Sequence, residues 1–327
     1  MRYLGDSHIQ EIGFHWEALA AVIQRALEAM EHGDCAQPLK PYLRYGDTRN
    51  RIIAMPAYVG GEIRMAGLKW IASFPGNIEA GLPRAHSVTI LNDAATGVPA
   101  AMLNSPAVSG ARTAAVSGLL LKQWLSSRPA SERAHRIGII GWGPIGRFHF
   151  DMCSKWFGDC IEKLYVYDIR GVDFRLAPSA NEPSAIQTVA ASSWEELYAA
   201  CNVIINCTVS QERYIGLPPS PGTLLLDVSL RDFKLEAIQG IKAVIVDDWT
   251  EVCRENTDIE LLHRESGLQQ DAVMTLEEVV LRDALKRIDT VKDPVLFCPM
   301  GMAVFDVAVA DWFYRKSLEL GIGATLD

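Results

Sequence analysis

Residues 137–146 read Ile-Gly-Ile-Ile-Gly-Trp-Gly-Pro-Ile-Gly, and this stretch decides the fold of the middle of the chain. An apolar run ends at Gly141, and glycines at 141, 143 and 146 form the pattern G-x-G-x-x-G where a helix is predicted to begin. Asp168 ends the next apolar run, 22 residues beyond Gly146. A strand, a glycine turn, a helix and an acid at this spacing together predict a dinucleotide-binding turn.

Each glycine of this turn has a distinct predicted role. Gly141 permits the tight turn, Gly143 lets the backbone approach a pyrophosphate, and Gly146 lets the helix pack closely on the strand. Pro144 and Ile145 begin the helix, whose free N–H groups and dipole favour a bound anion. The turn therefore predicts a cofactor that carries a pyrophosphate.

Asp168 decides which dinucleotide is expected. Its carboxylate would accept hydrogen bonds from the ribose hydroxyls and repel a 2′-phosphate, so we expect NAD, although Arg170 keeps NADP open. Thr208 follows a later apolar run and is predicted either to contact the cofactor or to cap a helix.

Short apolar runs alternate with helical segments through the middle third of the chain, which predicts a parallel sheet covered by helices on both faces. The fold class is thus α/β, with a Rossmann domain. The predicted strands are 136–140, 163–167, 202–207, 223–228 and 243–246, with a weaker run at 186–189.

The first 110 residues predict an α+β domain with a largely antiparallel sheet. A helix is expected at 16–31, and apolar segments at 51–55, 65–74, 86–92 and 100–103 are separated by turn residues. Helices are also predicted at 109–126 and 301–320. We therefore predict one domain of residues 1–115 with 301–327, which binds substrate and dimerises, and a Rossmann domain of residues 116–300.

Composition excludes several classes of protein. The 327 residues are 49% hydrophobic and 22% charged, with a formal net charge of −9, which argues against a nucleic-acid or anionic-membrane surface. Seven cysteines without C-x-x-C or zinc-like spacing predict reduced thiols, a cytoplasmic location and no bound metal. Neither a signal peptide nor a membrane-spanning segment is expected.

Two cations stand where cations are uncommon. Lys69 lies in an apolar, strand-like run, and Arg112 stands at the predicted opening of a helix, where the dipole disfavours a cation unless an anion binds. The pair indicates either a carboxylate-bearing substrate or structural ion pairs.

Several longer motifs carry a resemblance to a known family. They are Lys69-Trp-Ile-Ala-Ser-Phe-Pro-Gly-Asn77, Gly81-Leu-Pro83, Leu91-Asn-Asp93, Thr96-Gly-Val-Pro99, Arg112-Thr-Ala-Ala115, the Gly141 turn, Gly301-Met-Ala303 and Asp306. In combination they resemble the ornithine cyclodeaminase/μ-crystallin family over nearly the whole chain. Residues 83–85, 227–232 and 246–249 further resemble the NAD-dependent N-(2-amino-2-carboxyethyl)-glutamate dehydrogenases, which make 2,3-diaminopropionate, a siderophore and antibiotic precursor.

This resemblance implies roles for individual residues. Lys69 and Arg112 would hold the substrate α-carboxylate, and Arg44 a further carboxylate. Asp232 would lie beside the reacting carbon as the catalytic acid or base, with Lys69 able to assist hydrolysis. The cofactor-binding set would be Arg112, Thr208, Ser229, Leu230 and Gly301 beside the Gly141 turn and Asp168. A homodimer is implied as well.

The dehydrogenase would oxidise its substrate with NAD and hydrolyse the product to 2,3-diaminopropionate and 2-oxoglutarate. That substrate carries three carboxylates, so Arg84 is a candidate additional cation, and a solvated surface position is its alternative. His86 is a weaker acid/base candidate. Asp232 could instead begin a helix, and Asp247 and Asp248 are expected to be loop or capping residues.

Other functions remain open from the sequence. They are ornithine cyclodeamination, an opine- or ketimine-type reductase, an alanine-dehydrogenase-like oxidoreductase, and a non-enzymatic dinucleotide-binding protein. Cyclodeaminases carry an acid shortly before Met55-Pro56, whereas residues 51–54 here contain none, which disfavours that alternative.

Overall fold

The computed structural model describes residues 1–47, 49–129, 132, 134–177 and 186–327. The chain divides into two compact units: unit 1, residues 1–115 with 301–327, and unit 2, residues 116–300. The first boundary falls within one long helix. The binding and dimerisation functions that we assign to the units stay predictions.

The part of unit 1 before residue 116 is built from strands and helices, the last of which continues into unit 2. Its elements are β1 (Arg2–Gly5), α1 (Asp6–Ile12), α2 (Trp16–Glu31), β2 (Cys35–Ala36), β3 (Tyr42–Leu43), β4 (Arg51–Val59), β5 (Met65–Ser73), β6 (Ala85–Asp93), β7 (Pro99–Asn104) and α3 (Pro106–Ser126). The sequence predicted α2 with these bounds and the cores of β4–β7. It missed β1 and α1, which are too short to show a clear periodicity.

Unit 2 alternates strands with helices. Its elements are β8 (His135–Ile140), α4 (Pro144–Trp156), β9 (Ile161–Tyr167), β10 (Gln187–Ala190), α5 (Trp194–Ala200), β11 (Val203–Asn206), β12 (Leu224–Asp227), α6 (Leu235–Ile238), β13 (Ala243–Val246), α7 (Trp249–Val252), α8 (Asp258–Ser266), β14 (Met274–Thr275), α9 (Leu276–Leu281) and β15 (Val295–Cys298). They form a parallel sheet in the order β10-β9-β8-β11-β12-β15-β13-β14. The predicted α/β class is confirmed.

The order of these strands creates a crevice at one edge of the sheet. From β8 the chain runs outward through β9 and β10, and then returns to β11 on the other side of β8. Ligands of open parallel sheets bind outside the carboxyl ends of the strands at such a reversal. Gly141 follows β8, and Cys207 and Thr208 follow β11, so these residues meet at this position.

Strand β15 was not predicted, because it opens the long apolar stretch 294–310 and has no turn signal of its own. Its four residues are buried between β12 and β13. After it, unit 1 resumes with α10 (Ala303–Leu320) and β16 (Ala324–Thr325). The helix begins later than the predicted residue 301, since Gly301 has a φ of +85°.

The sheet of unit 1 has the order β16-β1-β7-β6-β5-β4-β2, with β3 beside β4, and its pairs are antiparallel except β1 with β7. Helix α10 packs against α2, β4 and β5, and its residues from Ala303 to Asp311 are all buried. This helix carries an acid, Asp306, into the core of unit 1. Among the described helices, none is long and apolar enough to cross a membrane.

Candidate active site

The glycine turn of unit 2 has the shape that the sequence predicts. Gly141 has a φ of +103°, and a Cβ there would lie 2.7 Å from the carbonyl oxygen of Cys207. A Cβ on Gly146 would lie 1.9 Å from the Gly141 oxygen, so this glycine permits the close contact of α4 with the turn. At Gly143, by contrast, a Cβ would meet nothing within 4 Å.

Gly143 precedes Pro144, the first residue of α4, so the open space beside it faces the free N–H groups of a helix N-terminus. An open cradle at the second glycine, beside two glycines fixed by backbone contacts, fits the pyrophosphate of a dinucleotide. The residues present therefore fit the predicted cofactor.

Asp168 is held in place by the same turn. Its Oδ2 accepts a hydrogen bond from the Trp142 backbone N–H at 2.7 Å, and its Oδ1 accepts one from the Arg170 N–H at 2.9 Å. Oδ1 also accepts a long hydrogen bond from Arg170 Nε, so Oδ2 is the oxygen that offers a second acceptor position to a ribose hydroxyl. The Arg170 side chain is 62% exposed and lies 3.4 Å from Asp168, so it partly neutralises the acid.

Asp232 is the centre of a polar cluster at the carboxyl end of β11 and β12. Its side chain is 1% exposed and accepts hydrogen bonds from Ser229 Oγ at 2.6 Å and Thr208 Oγ1 at 2.7 Å. Asn206 Nδ2 and Tyr214 OH each lie 3.4 Å from Oδ2. Hydroxyl and amide donors thus supply the hydrogen bonds that a buried carboxyl group needs.

These contacts correct two alternatives from the sequence. Asp232 does not begin a helix, because the following helix α6 starts at Leu235, and Lys234 occupies the position before it. Thr208 does not cap a helix either, since a loop follows β11 and the threonine hydroxyl donates to Asp232. Its predicted contact with the cofactor stays a prediction.

The loop that carries Asp232 has an unusual backbone. Leu230 has a φ of +66°, a left-handed conformation that costs a residue with a side chain about 1–2 kcal/mol. Its N–H donates to Asp227 Oδ1 at 3.0 Å, and its oxygen accepts from the Asp258 N–H at 2.8 Å. The surrounding structure thus holds a conformation that the residue disfavours. The predicted packing of Ser229 and Leu230 on a nicotinamide stays a prediction.

Unit 1 holds a separate group of buried charges. Lys69 Nζ lies 2.8 Å from Asp306 Oδ2, and Arg112 Nε lies 2.8 Å from Asp306 Oδ1. Lys40, buried nearby, donates from Nζ to the Gly301 oxygen at 2.7 Å. We call Lys40, Lys69, Arg112 and Asp306 the cation cluster, and its three cations outnumber its one acid.

Burial shifts the pKa values in the cation cluster. It lowers the pKa of Lys69 to about 8, because desolvation and the nearby cations outweigh the attraction of Asp306. Burial alone would raise the pKa of Asp306, but Arg112 and Lys69 hold that pKa below its usual value. An additional carboxylate would therefore gain from the excess of positive charge.

The sequence predicted that Arg112 stands at the start of its helix, and this prediction is wrong. Helix α3 begins at Pro106, and the anion that pairs with Arg112 is Asp306 from α10. A Cβ on Gly301 would lie 2.7 Å from Arg112 Nη1, so this glycine lets the guanidinium approach the backbone. The structure places Gly301 against Lys40 and Arg112, whereas its role toward the cofactor stays a prediction.

The other predicted cations occupy more open positions. Arg44 is exposed, with its guanidinium 5.1 Å from the centre of the Tyr42 ring. Arg84 is half-buried directly before β6, and His86 is exposed on that strand. Their roles toward a substrate stay predictions.

The two adjacent acids after β13 have structural roles, as expected. Asp248 caps α7 by accepting the Glu251 N–H at 2.8 Å. Asp247 accepts the N–H groups of Asp248 and Met300.

Sequence reasoning missed several residues of these clusters. Asp227 is the last residue of a buried strand, and Asp168 directly follows one. An acid at the end of an apolar run is therefore the signal that could have identified Asp227. Asp306 was noticed only as part of a motif. Lys40, Asn206, Tyr214 and Asp258 reach their clusters through long-range folding, and no local pattern marks them.

The chain is similar to known amino-acid dehydrogenases over nearly its whole length. Over 341 aligned residues the chain is 34% identical to N-((2S)-2-amino-2-carboxyethyl)-L-glutamate dehydrogenase of Staphylococcus aureus, covering 100% of this chain and 98% of the relative. It is 28% identical to alanine dehydrogenase of Archaeoglobus fulgidus, covering 95% and 93%.

The fold also matches a solved structure, Delta(1)-pyrroline-2-carboxylate reductase of Thermococcus litoralis in complex with NADH and L-proline. The TM-score is 0.85 at 24% identity, with 100% of both chains covered. Residues 7–320 match the family described as ornithine cyclodeaminase/mu-crystallin. The resemblance carried by the sequence motifs is thereby confirmed, and the chain belongs to the ornithine cyclodeaminase/μ-crystallin family.

Proposed function

We propose that this protein oxidises and hydrolyses N-(2-amino-2-carboxyethyl)-L-glutamate. In its class it is an NAD-dependent oxidoreductase that acts on the CH–NH group of an amino acid. The products would be 2,3-diaminopropionate and 2-oxoglutarate. The likeness to the Staphylococcus aureus dehydrogenase over the whole chain supports this substrate.

The observation that carries the proposal is the cation cluster. Lys69 and Arg112 are both buried and pair with the same carboxylate, Asp306, and burying excess positive charge is costly unless an anion is bound. Arg112 offers a planar fork for a carboxylate, and Lys69 offers a point charge. We assign these two residues to the substrate α-carboxylate, and Arg44 and Arg84 to the remaining carboxylates.

The reaction balances as two steps. The Cα–H bond of the glutamate moiety breaks, its hydride leaves to NAD, and the nitrogen loses a proton, which gives a C=N bond. Water then adds to that carbon, and the C–N bond breaks to release 2-oxoglutarate and the primary amine of 2,3-diaminopropionate. Bound NAD supplies the hydride acceptor, and the protein supplies binding, orientation and proton transfer.

Asp232 is the residue that we assign to proton transfer. Its side chain is 1% exposed, so a proton from the substrate has to be passed on by a neighbouring group. The hydroxyls of Thr208 and Ser229, which are only part-buried and contact Asp232, can do this. A hydroxyl both donates and accepts, so it can pass a proton to the carboxylate behind it. Lys69, whose pKa is about 8, could assist the addition of water.

The biological setting is proposed with the function. 2,3-Diaminopropionate would serve as a precursor of a siderophore or a peptide antibiotic. We further propose a cytoplasmic homodimer that is formed through unit 1. Size-exclusion chromatography with light scattering tests the dimer directly.

One assay separates the proposed reaction from its alternatives. Formation of NADH is followed by its absorbance with the tricarboxylate, L-ornithine and L-alanine in turn, and the products are identified by mass spectrometry. We expect NADH, 2-oxoglutarate and 2,3-diaminopropionate in equal amounts from the tricarboxylate alone. Proline and ammonia from ornithine without net NADH would indicate a cyclodeaminase, and NADH from alanine an alanine dehydrogenase. NADH binding without any turnover would contradict an enzymatic role.

A further inference from the structure

Two fully buried acids lie behind the loop that carries Asp232. Asp227 ends β12 and Asp258 begins α8, and both are 0% exposed. Because no solvent reaches either carboxyl group, each depends on the donors that the protein supplies.

The groups around the two acids differ. Asp258 accepts Arg213 Nε at 2.6 Å and the Phe233 N–H at 3.0 Å, and both donors favour its ionised form. Asp227 instead accepts from neutral donors, which are the Leu230 N–H at 3.0 Å, the Ser229 hydroxyl at 3.4 Å and the Cys298 thiol at 3.5 Å. Burial, together with the charges of Asp258 and Asp232, raises the pKa of Asp227 well above its usual value.

The same two acids hold both sides of Asp232. Asp227 accepts the N–H of Leu230, and the Asp258 backbone N–H donates to the Leu230 oxygen at 2.8 Å. On the far side of Asp232, the N–H of Phe233 donates to Asp258 Oδ2. These bonds fix the left-handed Leu230 and the residue after Asp232, and therefore the direction of the Asp232 side chain.

We propose that Asp227 and Asp258 act as positioning residues, which hold Asp232 against Thr208 and Ser229 through their bonds to Leu230 and Phe233. This inference rests on the proposed role of Asp232 in proton transfer. Neither acid touches the reacting atoms in this scheme. Their contribution is the geometry of the loop.

Their contacts make the two acids unequal toward the same substitution. In Asp227→Asn the amide oxygen can take the place of Oδ1 and accept both the Leu230 N–H and the Ser229 hydroxyl, so both bonds survive. In Asp258→Asn one of the acceptors for Arg213 and Phe233 is replaced by a donor, and the charge that faces Arg213 is lost. Asp227→Leu removes both bonds of Asp227.

The experiment compares these three variants with Asp311→Asn as a matched control. Asp311 is another buried acid, and its Oδ2 lies 2.6 Å from an arginine Nε, as in the Asp258–Arg213 pair, but it belongs to unit 1. For each protein we would measure kcat, KM, NADH affinity by fluorescence, and hydrogen–deuterium exchange of peptides that span residues 228–234.

We expect Asp258→Asn and Asp227→Leu to lower kcat about a hundredfold, since a small displacement of a catalytic group has effects of this size. Exchange at Leu230 and Phe233 should accelerate while NADH affinity stays within about twofold, because the glycine turn is untouched. Asp227→Asn should keep kcat within about fivefold and slow exchange, because it preserves both bonds. Asp311→Asn should match the wild type in kcat and in this exchange.

Other results would overturn the inference. Equal losses in Asp227→Asn and Asp258→Asn would contradict the unequal roles that the contacts give the two acids, and wild-type kcat and exchange in Asp258→Asn would contradict positioning. If the wild type oxidises none of the tested amines, the proposed function fails. The exchange rates of the same variants then still decide whether the acid pair holds the loop.

Discussion

The two units hold their functional side chains in opposite ways. In unit 2 a single acid, Asp232, is surrounded by neutral donors next to a turn made of backbone and glycine. In unit 1 two buried cations, Lys69 and Arg112, share a single acid, Asp306, and Lys40 is buried nearby against the Gly301 oxygen. From this difference we infer that unit 2 binds the cofactor and supplies the proton acceptor, whereas unit 1 determines the affinity for carboxylates.

The largest expected effect tests the chemical side of this division. Asp232→Asn removes the proton acceptor but keeps the size of the side chain, so we expect kcat to fall by about two to four powers of ten. NADH affinity, measured by fluorescence, should change little, because Asp232 does not belong to the glycine turn. A variant with unchanged kcat would show that unit 2 does not supply the base.

The next effect concerns the stability of unit 1. Asp306→Asn leaves Lys69 and Arg112 buried without their anion, and breaking a buried ion pair in this way costs about 3–5 kcal/mol. Urea unfolding should show the loss. The loss should shrink as the pH rises towards 8, because Lys69 in the variant lacks the attraction of Asp306 and releases its proton below the pKa of about 8 that it has in the wild type.

Asp311→Asn serves as the control for this measurement. Asp311 is buried in the same unit, but the side chain of its partner Arg315 is 55% exposed and can return to water. We expect a smaller loss than for Asp306→Asn. Equal losses would mean that the cation cluster is no more strained than an ordinary ion pair.

Two glycines of the turn separate binding from folding in unit 2. Gly143→Ala should unfold like the wild type, since its Cβ meets nothing within 4 Å, but it should weaken NAD binding about tenfold to a hundredfold by filling the cradle. Gly146→Ala should lose stability as well, because its Cβ would lie 1.9 Å from the Gly141 oxygen. Calorimetric NAD titration and thermal unfolding measure the two quantities. Unchanged NAD affinity in Gly143→Ala would contradict the pyrophosphate site.

The smallest effect is a pH dependence that belongs to unit 1. 2-Oxoglutarate, the proposed product, has no amine, so the pH dependence of its inhibition constant above pH 6 reports on the protein. Protonated Lys69 binds a carboxylate and neutral Lys69 does not, and burial lowers its pKa to about 8. The inhibition constant should therefore be flat below pH 7 and rise roughly tenfold for each pH unit well above 8.

Lys69→Arg is the matched variant for this profile. A guanidinium stays charged throughout the range, so the alkaline rise should disappear even if the affinity is lower at every pH. An alkaline rise that persists in Lys69→Arg would assign the titration to another group.

How much could be predicted from the sequence differs between the glycine turn, the residues around Asp232 and the cation cluster. The glycine turn and Asp168 were identified completely, since one strand, one turn and the next strand contain every part. Of the Asp232 cluster, the sequence identified Thr208, Ser229 and Asp232 but assigned the first two to the cofactor. Of the cation cluster it identified Lys69 and Arg112 without their shared partner.

The sequence by itself determined the parallel sheet, the dinucleotide turn and the family, because each depends on periodicity or on motifs of neighbouring residues. Only the tertiary structure decided that Lys40, Lys69, Arg112 and Asp306 meet, and that Asp227 and Asp258 lie behind Asp232. Those residues come from separate strands, loops and helices, and the attraction between charges is set by distance and burial, which local patterns do not contain. A local motif therefore revealed the cofactor, and folding alone revealed where this acidic chain concentrates positive charge.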